Sequence, residues 1–463
     1  IVPTLDVAVE MVNLPQAAQP ELQVALEQLA QTPFALAQEP LVRVHLLRGA
    51  EDRSILLLLM HHIVSDGWSL GILARELAAL YAGYCTDTAT ELPDLPIQYA
   101  DYAVWQRGWL AGEELERQLS YWRGQLDAAP AVLQLPTDKP RPPAQTFKGA
   151  HLNYTFGPDL GSQLRELAQT EDCTLFMLLL AAYNVFLSRY AGTDDIVVGT
   201  PIAGRTRTEM EGLIGFFVNT LALRVDLSGD PDFIEVLQRT KRTALDAYAH
   251  QELPFEKLVE ELQPDRNTSQ PPIVQTLFVL QENLSDDISF HGLDVTPLDF
   301  ELGSAKFDLS LFMVEFAAGL TASFEYNTAL FEVETIQAML EQLETLLAAI
   351  AAQPERPISQ LPLLAATDRL AMRETHAGAD APYPQAAVHE LVEQQAARTP
   401  SAIAVTCGDD SVSYAELNSR ANRLARQLCA AGAQAGQLVG ISLPRGLDQV
   451  VSVLAVLKTG AAY

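Results

Sequence analysis

The hydrophobic pattern changes sharply over residues 54–80, where a strand signal gives way to a helix signal. Ser54–Met60 is a run of mostly apolar residues (SILLLLM), which predicts a strand buried on both faces. Leu70, Leu73 and Leu77 then recur at spacings of three and four, which predicts an amphipathic helix. The polar sequence HHIVSDG separates the two elements. We therefore expect a loop between a buried strand and a helix, a position where proteins often present reactive groups.

Helix and strand patterns alternate along the rest of the chain. The predicted helices are Gln19–Thr32, Thr174–Tyr190, Phe233–His250, Glu334–Ala352, His389–Arg398, Tyr414–Ala431 and Leu447–Lys458. The predicted strands are Leu41–Leu47, Asp195–Gly199, a segment with Leu221, Leu223 and Val225 facing inward, Gln275–Gln281, Thr321–Tyr326, Ala402–Cys407 and Leu438–Leu443. Because strands and helices interleave throughout, the predicted fold class is α/β or α+β.

Proline-rich stretches mark two candidate boundaries. The first, LPTDKPRPPAQ, predicts a stiff, extended connector between two lobes. The second, about residues 353–385, is rich in Pro and Ala, and a new α/β pattern starts after it. The chain begins at Ile1 and ends in mid-pattern at LKTGAAY, so we expect a segment from inside a longer protein. The predicted division is an N-terminally truncated first lobe at 1–143, a second lobe at 144–355, a linker at 356–386 and the first part of a further domain at 387–463.

Composition narrows the class of partner. Of the 463 residues, 48% are hydrophobic and 19% charged, enough apolar material for a real core. The 30 Lys and Arg against 59 Asp and Glu give a net charge of −29, which argues against nucleic acid and anionic membrane as partners. The longest apolar stretch, Phe176–Leu187, is shorter than the about 20 residues that span a bilayer. Four scattered cysteines without a CxxC pair favour a reducing compartment, the cytoplasm.

The polar loop supplies groups for proton transfer. His61 or His62 as a neutral imidazole accepts a proton near neutral pH, Asp66 is able to orient a ring or hold an arginine, and Gly67 allows close approach of a substrate. A strand-to-helix turn with Asp66 as helix cap explains the same residues without chemistry. A metal site is disfavoured because adjacent histidines on an extended segment face opposite ways and no third ligand follows. No GxSxG motif supports a serine nucleophile.

The motif around His61 and His62, HHIVSDGWS, resembles the HHxxxDG signature of condensation domains of nonribosomal peptide synthetases. Seven further blocks resemble the family at its order and rough spacing: YADYAVWQ (99–106), GTPIAGR (199–205), IGFFVNTLALR (214–224), HQELPFEKLV (250–259), PDRNTSQPP (264–272), KFDLSL (306–311) and EYNTALF (325–331). After the second linker, VSYAELN (412–418) and LKTGAAY (457–463) resemble the first two core motifs of an adenylation domain. Condensation followed by adenylation is the order of an elongation module.

The resemblance implies a fold and a reaction. The family fold is two lobes, each related to chloramphenicol acetyltransferase, packed as a V with the active site at their junction. Upstream and downstream peptidyl carrier domains bring thioester-bound substrates on phosphopantetheine arms, and the downstream α-amine attacks the upstream acyl or peptidyl thioester. Trp68 in HHIVSDGWS is similar to domains that join an L-configured donor to an L-configured acceptor. Two alternatives keep the fold: a catalytically silent platform that recruits other domains, and a coenzyme A-dependent acyltransferase.

The resemblance also implies roles for the motif residues. His62 takes the place of the catalytic histidine, either as a base or as a group that positions the amine, and His61 that of a structural histidine. Asp66 is expected to pair with an arginine, for which Arg205 and Arg224 both remain open. The backbone amide of Gly67 is a candidate donor to the oxyanion.

Weaker roles follow for the other blocks. Trp68, Tyr99, Asn219 and Ser304 are candidate substrate contacts, although Tyr99 also suits packing and Asn219 also suits holding a loop. His250 is expected to be structural, at a helix end. No cofactor or metal is expected on this segment, since ATP and Mg²⁺ belong to a complete adenylation domain.

Overall fold

The structure is a computed structural model in which the chain forms two compact units, Ile1–Leu370 and Ala371–Tyr463. The residues that it describes are 6–13, 19–38, 40–49, 53–263, 268–281, 289–296, 298, 303–316, 319–376 and 383–463. The first unit contains two lobes, and the second contains a smaller α/β assembly.

The first lobe contains a three-stranded sheet with one helix on it. Its elements are β1 (Val9–Asn13), α1 (Gln19–Ala30), β2 (Val42–Arg48), β3 (Ser54–Met60), α2 (Gly67–Thr86) and α3 (Tyr99–Trp109). The sheet order is β1-β2-β3, with β1 parallel and β3 antiparallel to β2. Leu26 of α1 packs on Leu47 and Leu57, which covers one face. The prediction that β3 is buried on both faces is wrong: it borders the described sheet, and Leu56 on the other face is 49% exposed.

The second lobe is a six-stranded mixed sheet whose helices pack with it in one large apolar core. Its elements are α4 (Gly112–Gln125), β4 (Gly149–Thr155), α5 (Leu160–Thr170), α6 (Leu175–Ala191), β5 (Asp195–Ile202), α7 (Thr208–Glu211), β6 (Asn219–Asp226), α8 (Phe233–Tyr248), α9 (Phe255–Leu262), β7 (Thr276–Gln281), β8 (Leu309–Phe316), β9 (Gly319–Asn327) and α10 (Val333–Ala352). The strand order is β4-β9-β8-β7-β5-β6, and only the β5–β7 and β7–β8 pairs are parallel. α6 is the central helix, buried along its length because its sequence is apolar on nearly every face.

Packing places the start of the second lobe earlier than the proline pattern suggested. Leu119 and Trp122 of α4, and Leu133 after it, belong to the second lobe's core. Arg141 in the proline-rich connector donates to both carboxylate oxygens of Asp308, at 2.9 and 2.5 Å. The structure therefore joins α4 and the connector to the second lobe, although the sequence assigned residues up to 143 to the first. The prolines make this segment stiff, but stiffness alone does not show whether a segment separates two lobes or packs against one of them.

The predicted linker also contains ordered structure. Ile358 and Leu361 are buried in the second lobe's core, and the Ile358 N–H donates to Pro231 O at 3.0 Å. A short 3₁₀ turn at Ile358–Gln360 precedes α11 (Ala366–His376). The second lobe thus extends past residue 355.

The second unit is built around a small apolar core. Its elements are α12 (Val388–Arg398), β10 (Ile403–Cys407), β11 (Asp410–Ser413), α13 (Tyr414–Ala430) and α14 (Leu447–Lys458). β10 and β11 form an antiparallel hairpin, and Leu417 packs with Leu454. The predicted strand Leu438–Leu443 does not form, because its only pairing among the described residues is one isolated bridge from Leu438 to Ala462.

Within the described residues, no single helix has both the length and the apolar character to cross a membrane. α5 and α6 reach that length and composition only as a pair, and the pair is bent by 105° at its break. All four cysteines are free thiols.

Candidate active site

The loop from β3 to α2 begins with a turn that His61 shapes. The His61 backbone N–H donates to Leu41 O at 3.0 Å, which continues the β2–β3 pairing. Its imidazole Nδ1 accepts from the Ile63 backbone N–H at 3.1 Å and so caps the 3₁₀ turn His62–Val64. Since Nδ1 accepts, the hydrogen of the neutral His61 ring is on Nε2.

His62 is exposed and has the opposite tautomer. Its Nδ1 lies 2.9 Å from the backbone oxygen of Ser65, and because a carbonyl only accepts, Nδ1 carries the hydrogen. The Nε2 of the neutral ring then holds a lone pair, and it makes no hydrogen bond to any described residue. The ring of Phe216 meets the imidazole edge to face, with centroids 5.7 Å apart. His62 is thus fixed at one nitrogen and open to a substrate at the other.

Asp66 anchors the loop from inside the protein. It is 4% exposed, and it caps α2 by accepting from the Ser69 backbone N–H at 2.8 Å and from Ser69 Oγ at 2.7 Å. Its other oxygen accepts from the Phe217 backbone N–H at 3.0 Å. Burial alone raises the pKa of Asp66, but the hydrogen bonds from Ser69 and Phe217 and the charge of Arg205 outweigh it and lower that pKa.

Arg205 is the arginine that pairs with Asp66. The guanidinium lies 3.2 Å from Asp66 Oδ1, and the two side chains are 1% and 3% exposed. Arg205 also donates to the backbone oxygens of Met210 and Leu213, and it lies 4.1 Å from the centroid of the Phe217 ring. Burial lowers the pKa of Arg205, opposed by Asp66.

Arg224, the other arginine that the sequence left open, lies elsewhere. It donates to both carboxylate oxygens of Asp195, at 2.8 and 2.7 Å, across the β5–β6 hairpin. It also donates to the backbone oxygens of Gln125 and Asp127, and so ties the end of α4 to the sheet. Its contacts are those of a structural residue of the second lobe.

The sequence offers Ser69 only as an alternative to Asp66 for the cap of α2, and the structure makes it part of this network. The residue is fully buried, and its Oγ lies 3.1 Å from the nitrogen and 3.0 Å from the oxygen of Gly215. Arg205 donates to the same Oγ at 2.9 Å. Ser69 therefore joins the first turn of α2 to the segment before β6. The only sequence signal was a small polar residue three positions after a capping Asp.

Trp68 and Tyr99 each donate a side-chain hydrogen bond to a backbone oxygen of the 204–217 segment. Trp68 Nε1 donates to Glu211 O, and Tyr99 Oη donates to Phe216 O, each at 2.9 Å. Tyr99 also packs on Phe217, with ring centroids 5.1 Å apart. Both residues hold the segment that carries Phe216 beside His62. What they offer a substrate is ring surface, of which Trp68, 46% exposed, has more.

Gly67 is the first residue of α2 and borders open space. A Cβ built on it meets no atom within 4 Å, so packing does not require glycine here. Its N–H is among the first of the helix, which have no intrahelical partner and lie at the positive end of the helix dipole. A glycine here keeps the space around the start of α2 open and presents a backbone donor.

The carboxamide of Asn219 is fully engaged within the second lobe. Its Nδ2 donates to Gln251 O and Leu253 O, at 2.8 and 2.7 Å, and its Oδ1 accepts from the N–H groups of Thr220 and Phe255. No polar atom remains for a substrate, which favours the loop-holding role over the substrate contact.

His250 and Ser304 also belong to the second lobe. The His250 ring stacks on Tyr121 at 4.0 Å, and its Nδ1 donates to Asp246 O at 2.8 Å. Ser304 is exposed and forms an isolated bridge with Lys148 at the start of β4. The structure thus places Ser304 beside β4, and the histidine loop is held instead by residues of the segment 204–217.

Among the described residues, no three His, Cys, Asp or Glu side chains are grouped so as to hold a metal ion. Residues 264–267 of the PDRNTSQPP block lie outside the described residues.

Comparison with known proteins identifies the family of the chain. The family model of the condensation domain matches residues 1–372, and that of the AMP-binding enzyme matches residues 392–463. One component of the linear gramicidin synthase of Brevibacillus parabrevis is 46% identical over 469 residues, covering 100% of this chain and 6% of that protein. Malpinin synthetase of Mortierella alpina is 43% identical over 466 residues, with the same shares. The chain thus spans 6% of the length of either of these proteins.

Solved structures confirm the mixed α/β fold. A four-domain nonribosomal peptide synthetase bound to AMP and glycine matches with a TM-score of 0.75 and 26% identity, over 99% of this chain and 36% of that one. The X-domain from teicoplanin biosynthesis, in complex with OxyB, matches with a TM-score of 0.71 and 27% identity, over 78% and 80%. The chain therefore belongs to the condensation-domain family of nonribosomal peptide synthetases and continues into the start of an AMP-binding enzyme domain.

Proposed function

We propose that residues 1–372 form a peptide bond between two substrates held as thioesters on upstream and downstream carrier domains. The observation that carries this proposal is the state of His62, whose Nδ1 is held by Ser65 O while Nε2 stays open. Similarity to gramicidin and malpinin synthetases supports a synthetase context. Trp68 after Gly67 supports a donor and an acceptor that are both L-configured.

The proposed reaction is an acyl transfer. The nitrogen lone pair of the acceptor amine attacks the donor thioester carbonyl, the C–N bond forms, and the carbonyl oxygen gains negative charge. The intermediate collapses with cleavage of the C–S bond, and the upstream carrier leaves as a thiol that takes up the proton lost by the amine. The Gly67 N–H, at the positive end of α2, is suited to stabilise the oxyanion.

Two roles for His62 suit this chemistry. A lone pair on Nε2 accepts the amine proton as the C–N bond forms. The same lone pair accepts a hydrogen bond from the amine and so holds it against the thioester, a contribution of orientation that reaches several kcal/mol in well-positioned reactions. Both roles need the tautomer that Ser65 O fixes.

Phosphopantetheine arrives on the carriers and is part of the substrates. Within residues 392–463, the Lys458 ammonium is ion-paired with Glu393 and its side chain is 5% exposed, so this lysine is not free to bind a phosphate. We assign no nucleotide chemistry to this segment. The free thiols support the cytoplasm as the compartment.

A second candidate is a silent platform that recruits another protein. The likeness to an X-domain crystallised with OxyB favours it. The open Nε2 of His62 and the buried network under it favour catalysis instead, because a platform needs neither. A coenzyme A-dependent acyltransferase is the third candidate, and the AMP-binding segment after the fold weighs against it.

The test is His62→Ala in a module that contains this chain and both loaded carriers. We expect peptidyl product to form at least about a hundredfold more slowly, the lower range for loss of a proton-transfer group. His291→Ala, at an exposed histidine, is the matched control and keeps the wild-type rate. Undiminished product from His62→Ala contradicts the proposal, and product from soluble acyl-coenzyme A without carriers supports the third candidate.

A further inference from the structure

One side chain from the loop between α1 and β2 reaches the histidine loop. Over residues 31–38 every side chain is exposed except Phe34, which is half-buried. The Phe34 ring meets the His61 imidazole edge to face, with centroids 6.0 Å apart and planes at 86°. Phe34 is not part of the first lobe's core cluster around Leu26. Its ring contacts among the described residues are with His61 and with Arg43.

Arg43 on β2 fixes the place of Phe34. Its guanidinium lies 4.1 Å from the centroid of the Phe34 ring, a cation–π distance. The same group donates to Thr32 O at 2.8 Å and to Pro33 O at 2.7 Å. Arg43 thus holds the two carbonyl groups that precede Phe34 as well as its ring. The planar fork of arginine suits this set of contacts, and a lysine ammonium does not reproduce it.

We infer that Phe34 and Arg43 form a buttress for His61 and thereby position His62 for the reaction. The buttress rests on the function proposed above. His61 Nδ1 accepts from the Ile63 N–H, and that bond closes the turn on which His62 lies. Phe34 keeps the imidazole in the orientation that this bond requires. Phe34 and Arg43 are positioning residues, because they act on the loop through His61.

Loss of the buttress is expected to lower activity more than it lowers stability. Phe34 is half-buried in an otherwise exposed loop, so its replacement removes little apolar contact from the core. A small rotation of His61 releases the Ile63 N–H and displaces His62, and displacements of about 1 Å in a catalytic group cost up to about a hundredfold in rate. We therefore expect a large change in kcat with a small change in the free energy of unfolding.

The test is Phe34→Leu, with Leu36→Ala as control in the same loop, since Leu36 is 53% exposed. In the module with loaded carriers, Phe34→Leu lowers kcat about tenfold or more and leaves KM for the carriers unchanged. Phe34→Tyr, which keeps the ring, restores the rate, and Leu36→Ala retains it. Arg43→Lys lowers kcat as Phe34→Leu does. If Phe34→Leu fails to fold, Arg43→Lys still tests the buttress.

A second readout does not depend on activity. Imidazole ¹⁵N shifts of the 463-residue chain, assigned among its eight histidines by single replacements, are expected to show His61 protonated at Nε2 in the wild type. We expect Phe34→Leu to move the His61 shifts toward a tautomer mixture. Unchanged His61 shifts, or a rate for Phe34→Leu equal to that of Leu36→Ala, overturn the buttress. Full activity of His62→Ala overturns the proposed function and leaves the ¹⁵N result standing, so the two failures are distinguishable.

Discussion

Asp66 Oδ2 accepts a hydrogen bond from the backbone N–H of Phe217 at 3.0 Å, and this bond ties the histidine loop to the segment before β6. The same segment carries Phe216, whose ring edge lies against His62. One buried carboxylate therefore sets the start of α2 and the aromatic wall of the site together. Because Arg205 neutralises that carboxylate, the site depends on an ion pair between residues 139 positions apart.

Replacement of Asp66 by asparagine is expected to weaken both the fold and the reaction. The isosteric amide leaves the buried charge of Arg205 without its ion-pair partner. Its NH₂ group also faces one of the hydrogen-bond donors from which the carboxylate now accepts. Loss of one partner of a buried pair costs about 3–5 kcal/mol. Tryptophan fluorescence during urea unfolding is the measurement, since all four tryptophans belong to the first unit.

Asp195→Asn is the matched control for that variant. It removes the same charge from a pair with Arg224, in which the side chains are 30% and 22% exposed. We expect a loss of roughly 1 kcal/mol, since water screens a partly exposed pair. Equal losses in the two variants contradict the special role of the Asp66 network.

Ser69→Ala tests the link between α2 and Gly215. The variant removes an Oγ that serves Asp66, Arg205 and both backbone groups of Gly215, and it leaves buried donors without acceptors. We expect a loss of about 1–3 kcal/mol in the free energy of unfolding and a slower condensation. Ser162→Ala, at an exposed helix start, is the control and changes neither. A fully active and stable Ser69→Ala variant shows that the link is dispensable.

Gly67→Ala is expected to impair the reaction without impairing the fold. The new methyl meets no protein atom within 4 Å, and alanine favours helix over glycine by up to about 1 kcal/mol. The free energy of unfolding therefore stays level or rises, while the methyl takes up open space at the start of α2 and is expected to slow product formation. Gly83→Ala is the opposite case: its Cβ lies 2.0 Å from Thr90 Oγ1, so stability falls. Undiminished turnover by Gly67→Ala excludes Gly67 from the substrate channel.

Local signals predicted much of the fold. α14 begins and ends at the predicted residues Leu447 and Lys458, because an apolar periodicity and the residues around it define a helix within its own sequence. β4 and β8 were missed, and Leu438–Leu443 was assigned as a strand that does not form. Strands depend on partners distant in sequence, and the apolar character of a segment does not reveal whether a partner exists.

The site shows the same limit. One short motif made His62 and Asp66 candidates, but it did not decide between Arg205 and Arg224. Arg224 is ion-paired with Asp195 across the β5–β6 hairpin. Arg205 reaches Asp66 because α2 packs against the 204–217 segment, which is distant from it in sequence. The sequence offered Ser69 as a helix cap but did not reveal its contact with Gly215, which lies 146 residues away.

Asp66 and Glu325 predict opposite effects of pH on stability. The folded-state pKa of Asp66 lies below its ordinary 3.8, so its stabilising contribution is complete above that pH and is lost as pH falls through the lowered pKa. Burial raises the pKa of Glu325 above 4.5, against the opposing effects of His151 and Ser310. The stabilising contribution of Glu325 is therefore complete below pH 4.5 and is lost as pH rises through its raised folded-state pKa.

Two variants separate these effects in urea unfolding from about pH 3 to about pH 7. The stability difference between wild type and Asp66→Asn narrows as pH falls below about 4, because protonation removes the wild-type carboxylate. Glu325→Gln gains stability relative to wild type as pH rises above about 5, since the amide carries no buried charge to oppose. Both comparisons use tryptophan fluorescence, which reports the unfolding of the first unit because all four tryptophans lie there. If the two differences change with pH in the same direction, the electrostatic account of one of these carboxylates is wrong.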